Sequence, residues 1–127
     1  MQGLLMKQAN AKQKQWMNDI TEWSEDNLTM LYGSVYEGCY IQRHHVLGRS
    51  AKHNKAEIGH WFILPLPFEL HDVSSNHPEN VTHRKKAFVK RFGSQRDLFL
   101  MMVEGMRDCG YQLPPADVCE AIRMTSE

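Results

Sequence analysis

Seven histidines, His44, His45, His53, His60, His71, His77 and His83, all fall between Arg43 and Arg96 of a 127-residue chain. Imidazole titrates near neutral pH, so it can take a proton from water or offer a lone pair to a divalent cation. A lone histidine is usually structural or solvated; a clustered set is harder to explain that way. His44 and His45 are adjacent. Neighbours on a strand point to opposite faces, so a regular strand cannot aim both rings at one ion. At a strand end or bulge the pair can divide the work, one ring on a cation and the other on the substrate. Imidazoles from a strand end, a strand–loop joint (His71) and a helix start (His83) can then converge on one ion.

Positive charge gathers in the same stretch. The formal net charge is zero, so attraction of a polyanion by total charge is excluded. Met1 to Gln42 carries three basic and five acidic residues, Arg43 to Arg96 ten and four, and Asp97 to Glu127 two and six. The middle therefore holds +6 between flanks of −2 and −4, and a polyanion responds to that local field. Metal-assisted phosphodiester cleavage needs a cation on the phosphate, a neutral histidine to deprotonate water, and basic side chains along the backbone. The middle third contains all three kinds of donor.

The elements that must position these residues follow from spacing. Lys7 to Trp23 is predicted to be a helix, with Trp16, Ile20 and Trp23 along one face as core or interface. Cys39 to Val46 has strand character, and Gly48 and Arg49 open a polar loop reaching Glu57. His53, between Lys52 and Lys55, belongs to that loop's solvated surface. Trp61 to Leu66 reads as a second strand, closed by Pro65 and Pro67. Asp72 to Asn80 is loop. Thr82 is placed to cap a helix running to Phe92, with Gly93 as its stop and Phe88 and Phe92 on its buried face. Ser94 caps the next helix, which carries Leu98, Met101, Met102 and Met106 through Cys109. Pro114 and Pro115 start a last one, with Val118 and Ile122 turned inward. The fold class expected is α+β, one domain over residues 1–127: a helical part at 1–38, a core at 39–93 and helices at 94–127.

Composition agrees with a folded domain: 42% hydrophobic and 24% charged residues weigh against global disorder. No apolar run approaches the roughly 18 residues of a membrane span, and Met1 to Gln15, rich in Lys and Gln, does not read as a signal peptide. Cys39, Cys109 and Cys119 are widely spaced and odd in number, which points to free thiols in a reducing cytoplasm.

The string HHVLGR at His44 to Arg49 resembles the first strand of HNH (His-Me finger) nucleases. With HWFILPLPFELH from His60 and HRKKAFVKRFGSQRDLF from His83, it is more closely similar to the Ref family of phage RecA-dependent nucleases. Trp61, Pro65-Leu66, His83, Phe88 and Phe92-Gly93-Ser94-Gln95 carry the match, over roughly Cys39 to Leu98. The resemblance implies a ββα-metal core flanked by helices and a metal-dependent DNA endonuclease. His45 would be the general base, oriented by His60, near the family's middle asparagine. His44, His71 and His83 would bind the metal, with His77 competing for the third place. Arg43, Arg49, Lys52, Lys85, Lys86, Lys90 and Arg91 would meet the DNA backbone. It implies magnesium as the working ion with zinc as the other candidate, a RecA filament as partner, and a phage or prophage protein in the host cytoplasm. Pro67 and Leu70 depart from positions where relatives tend to carry cysteine or histidine, so a structural zinc site of the usual type is not expected. The alternative is a degenerate finger that binds nucleic acid or a recombination partner without cutting.

Overall fold

The computed structural model describes residues 8–127, and Lys7, where the first helix was expected to begin, lies outside them. Helix α1 runs over Ala11–Tyr32. It starts late because Asn10 caps it: the Asn10 side chain accepts from the Gln13 amide while the Gln13 side chain accepts from the Asn10 amide. It runs past Trp23 because Leu28, Leu31 and Tyr32 extend the apolar face. Gly33 ends it, and a single 3-10 turn, Ser34–Tyr36, leads to the first strand.

Strand β1 (Ile41–His45) pairs antiparallel with a later strand, Ile63–Pro67, in the register His44 opposite Leu64 and His45 opposite Ile63. The intervening segment is more ordered than a polar loop. It forms a two-residue-per-strand hairpin, β2 (Lys52–His53) and β3 (Ala56–Glu57), around Asn54 and Lys55, both at positive φ. No alternating apolar pattern announces this hairpin. It is held by the amides of Ile58 and Gly59, which both donate to the Ala51 carbonyl. A Cβ on Gly59 would stand 2.2 Å from the Arg49 carbonyl oxygen, so only glycine lets the chain pass this close.

The Ile63–Pro67 strand is β4, buried at every position. Its free edge tolerates Pro65, which has no amide hydrogen to leave unpaired. Helix α2 (Phe68–His71) follows without a break. The next helix, α3, spans Lys85–Phe92, starting two residues later than a Thr82 cap implies. Thr82 does not cap it: its hydroxyl donates to the His71 carbonyl. Gly93 stops α3 at φ +100. Ser94 caps α4 (Gln95–Asp108) by accepting from the Asp97 amide, as its spacing predicts. Pro115 precedes α5 (Ala116–Arg123), whose Val118 and Ile122 are buried.

The result is a small mixed α/β protein in which helices pack on a small antiparallel sheet. Trp16 of α1, Phe62 beside β4 and Phe99 of α4 meet edge to face, with ring centroids 6.3 Å apart for Trp16–Phe99 and 5.3 Å for Phe62–Phe99. Phe88 and Phe92 do face inward, against Tyr32. Among the described residues no helix is long and apolar enough to cross a membrane.

Candidate functional site

Alternation along β1 divides its side chains between two environments. Gln42 and His44 share one face. There His44 Nε2 is 2.8 Å from Gln95 Oε1 at the start of α4, and its Nδ1 is 3.1 Å from Nε2 of His71. Arg43 lies on the opposite face, donating to Thr21 Oγ1 and Asn18 Oδ1 of α1, each at 2.9 Å. His45 also turns away from His44, and its Nε2 is 3.2 Å from Nδ1 of the buried His60. The adjacent histidines thus serve two separate pairs, His44 with His71 and His45 with His60.

His71 ends α2, close to β1 because α2 continues directly from β4. Its Nδ1 faces Gln42 Oε1, and Gln42 Nε2 in turn donates to Asp72 Oδ1 at 2.9 Å. The carboxylate settles the amide's orientation, since only the NH₂ end can face it. Behind His71 the loop is pinned by Asn80, fully buried. Asn80 Nδ2 donates to the carbonyls of Glu69 and Asp72 at 3.1 Å each, and its Oδ1 accepts from the amides of Thr82 and His83 at 2.8 and 3.1 Å. Gln42, Gln95, Asp72 and Asn80 were not singled out in the sequence. Gln95 stood in the Phe-Gly-x-Gln step and Gln42 two residues before His44, the only signals available.

His83 is not beside His44 and His71. It precedes α3 rather than opening it, and its Nε2 donates to the Val73 carbonyl at 2.8 Å. His77 Nδ1 accepts from the Glu79 amide at 3.0 Å. Among the described residues no group of three or more His, Cys, Asp or Glu side chains is arranged to hold a metal ion.

The basic residues are spread over several elements. Arg43 lines an open depression with Gln42, His44, His71, Asp72, Val73 and Thr82. Arg49 lies near enough to His45 to disfavour its protonation, and Lys52 is exposed on β2. On α3, Lys86 and Lys90 are exposed, Lys85 pairs with Glu127 at 2.7 Å, and Arg91 lies 3.9 Å from Glu79.

Burial favours the neutral form of His44, His45 and His71. His44 is lowered to about 4, first by burial and then by the His71 ring. His45 is also lowered to about 4, by burial, then by His60 and Arg49. His71 is lowered by burial, against the opposing charge of Asp72. Asp72 is held down to about 2 by hydrogen bonds from Ser74 and Gln42. A histidine with a depressed folded pKa binds fewer protons folded than unfolded, so its contribution is present above the ordinary 6.5 and is lost as pH falls toward 4. The urea midpoint is expected to be level above about pH 7 and to drop steadily between pH 6.5 and 4. A midpoint unchanged between pH 7.5 and 5 would contradict the burial of these neutral rings.

Comparison of the chain with protein-family models, with curated proteins and with solved structures gives no match.

Proposed function

We propose that the chain is a metal-dependent DNA endonuclease of the HNH type, with the segment 39–93, from β1 through β4 to α3, as its ββα-metal finger. The observation that carries this reading is the His44–His71 contact. Gln95 and Gln42 accept from the outer nitrogens of the two rings, so in neutral rings the inner nitrogens, 3.1 Å apart, both present lone pairs. Two lone pairs face to face repel unless a cation lies between them. Nitrogens about 2.1 Å from one ion and about a right angle apart are separated by about 3.0 Å, so the pair fits a divalent ion.

When bound, that ion polarises the scissile phosphate and stabilises the leaving oxygen. His44 and His71 would hold the ion, and imidazole donors suit a first-row transition ion better than magnesium. His45 acts as general base. Its Nε2 lies 3.2 Å from His60 Nδ1, and the tautomer that carries the proton on Nε2 leaves Nδ1 as the lone pair to take a proton from the attacking water. Arg43, beside the His44–His71 depression, and Arg49, beside His45, supply positive charge to the DNA backbone. Lys52, Lys85, Lys86, Lys90 and Arg91 extend that contact.

The separation of His83 from the pair favours a second reading, a finger that binds nucleic acid without cutting it. Nicking of supercoiled plasmid and of single-stranded DNA, with magnesium, manganese, zinc or EDTA, decides between them. The nuclease reading expects cleavage in at least one metal lane and none in EDTA. A requirement for RecA with ATP would extend the reading to the Ref-like partner. No cleavage in any lane, with DNA binding retained, would overturn it in favour of the second.

A further inference from the structure

We infer that Gln42, braced by Asp72, and Gln95 are positioning residues that set the tautomers of His71 and His44, so that both inner nitrogens are offered to one cation. The inference rests on the reading of that pair as a cation site. A neutral imidazole carries one N–H, and whichever nitrogen bears it cannot ligate. At His71 the choice is made by a chain of three groups. Asp72 Oδ1 accepts from Gln42 Nε2 at 2.9 Å, which leaves Gln42 Oε1 facing His71 Nδ1 and so draws the proton to Nδ1. At His44 the acceptor is Gln95 Oε1, 2.8 Å from Nε2, on a side chain only 2% exposed. Without these acceptors the rings have a simpler option: His44 Nδ1–H donates to His71 Nε2 across the same 3.1 Å, and both inner nitrogens are closed to a metal.

The two glutamines come from different elements, Gln42 from β1 and Gln95 from the first position of α4. Each is neutral, so it directs the proton without adding the anionic charge a carboxylate would bring to a phosphate-binding surface. Outer-shell partners of this kind typically change metal affinity 10- to 100-fold.

Long-range ¹H–¹⁵N spectra of the ¹⁵N-labelled, metal-free protein at pH 7 test the assignment directly. The expected result is His71 protonated on Nδ1 and His44 on Nε2. Zinc(II) and manganese(II) titrations by calorimetry then compare the unaltered protein with Gln95→Leu, Gln95→Glu and Gln42→Leu. Gln95→Leu is expected to move the His44 proton to Nδ1 and to weaken binding of the tighter ion about 10- to 100-fold. Gln95→Glu, which keeps an acceptor, should restore both, and Gln42→Leu should shift the His71 tautomer. A proton on either inner nitrogen of the unaltered protein overturns the inference, as does Gln95→Leu binding as tightly as the unaltered protein. Tautomers as assigned with neither ion bound would instead sink the cation reading, and the cation-presenting role with it. The spectra of the unaltered protein stand even if a leucine variant fails to fold.

Discussion

His45→Ala is expected to lower metal-dependent nicking by about 10²- to 10⁴-fold, the usual worth of a positioned general base. DNA binding and melting temperature should stay near those of the unaltered chain. The ring lies on the opposite side of β1 from His44, Gln95 and His71, so its removal leaves the proposed cation pair intact. Divalent-ion affinity should therefore be unchanged while turnover is lost, a separation that no variant of His44 or His71 would give. The pH profile carries a second signature. A base must be unprotonated, and burial, His60 and Arg49 hold His45 at about 4. The acid limb of kcat/KM should accordingly lie well below the ordinary 6.5, with activity level from pH 7 to 5.5 or so. His60→Ala, which removes the partner of Nε2, should move that limb and cost less than His45→Ala. More than a tenth of the original rate in His45→Ala would mean that another group deprotonates the water.

Phe99→Ala is expected to destabilise the fold by about 3–5 kcal/mol, a large share of the roughly 5–15 kcal/mol that small domains possess. Phe99 is fully buried and meets both Trp16 and Phe62 edge-on, so it joins α4 to α1 and to the segment leading into β4. The hole left by its ring would border Trp16 and Phe62, about one helical turn along α4 from Gln95. Val35→Ala, at 76% exposure, serves as the control and should change stability by no more than about 0.5 kcal/mol. The readout is urea unfolding, with the two variants compared at equal m-value. A cost below about 1 kcal/mol for Phe99→Ala would mean that the three aromatics do not form one packed joint.

Much of the framework was legible in the sequence. Ser94 announced the start of α4, Gly93 the end of α3, and the Trp16–Ile20–Trp23 spacing the buried face of α1. Both strands of the main sheet were visible from Cys39 to Val46 and from Trp61 to Leu66. The errors have particular causes. Thr82 reads as a helix cap because its type and position suit one, yet its hydroxyl goes to a carbonyl eleven residues away. His83 inherits that misreading and ends on Val73. Lys85 and Arg43, expected to meet DNA, also bond within the fold, to Glu127 and to Asn18 and Thr21, partners that their sequence positions do not reveal. Asn80 looked like one more loop residue, and only its four hydrogen bonds reveal why the segment between α2 and α3 is ordered.

What the sequence determined by itself is local: where helices start and stop, which faces are apolar, and that imidazole and positive charge crowd the middle third. Those properties depend on neighbours within about one helical turn, so spacing encodes them. It also dictated that His44 and His45 part company, since a strand sends adjacent side chains to opposite faces. Which imidazoles meet was decided only by the tertiary structure. His44 finds His71 across 27 positions and Gln95 across 51, while His45 finds His60. Proton position and basicity were decided there too, because both depend on burial and on the acceptor that the fold brings to each ring, and no periodicity in the chain records either.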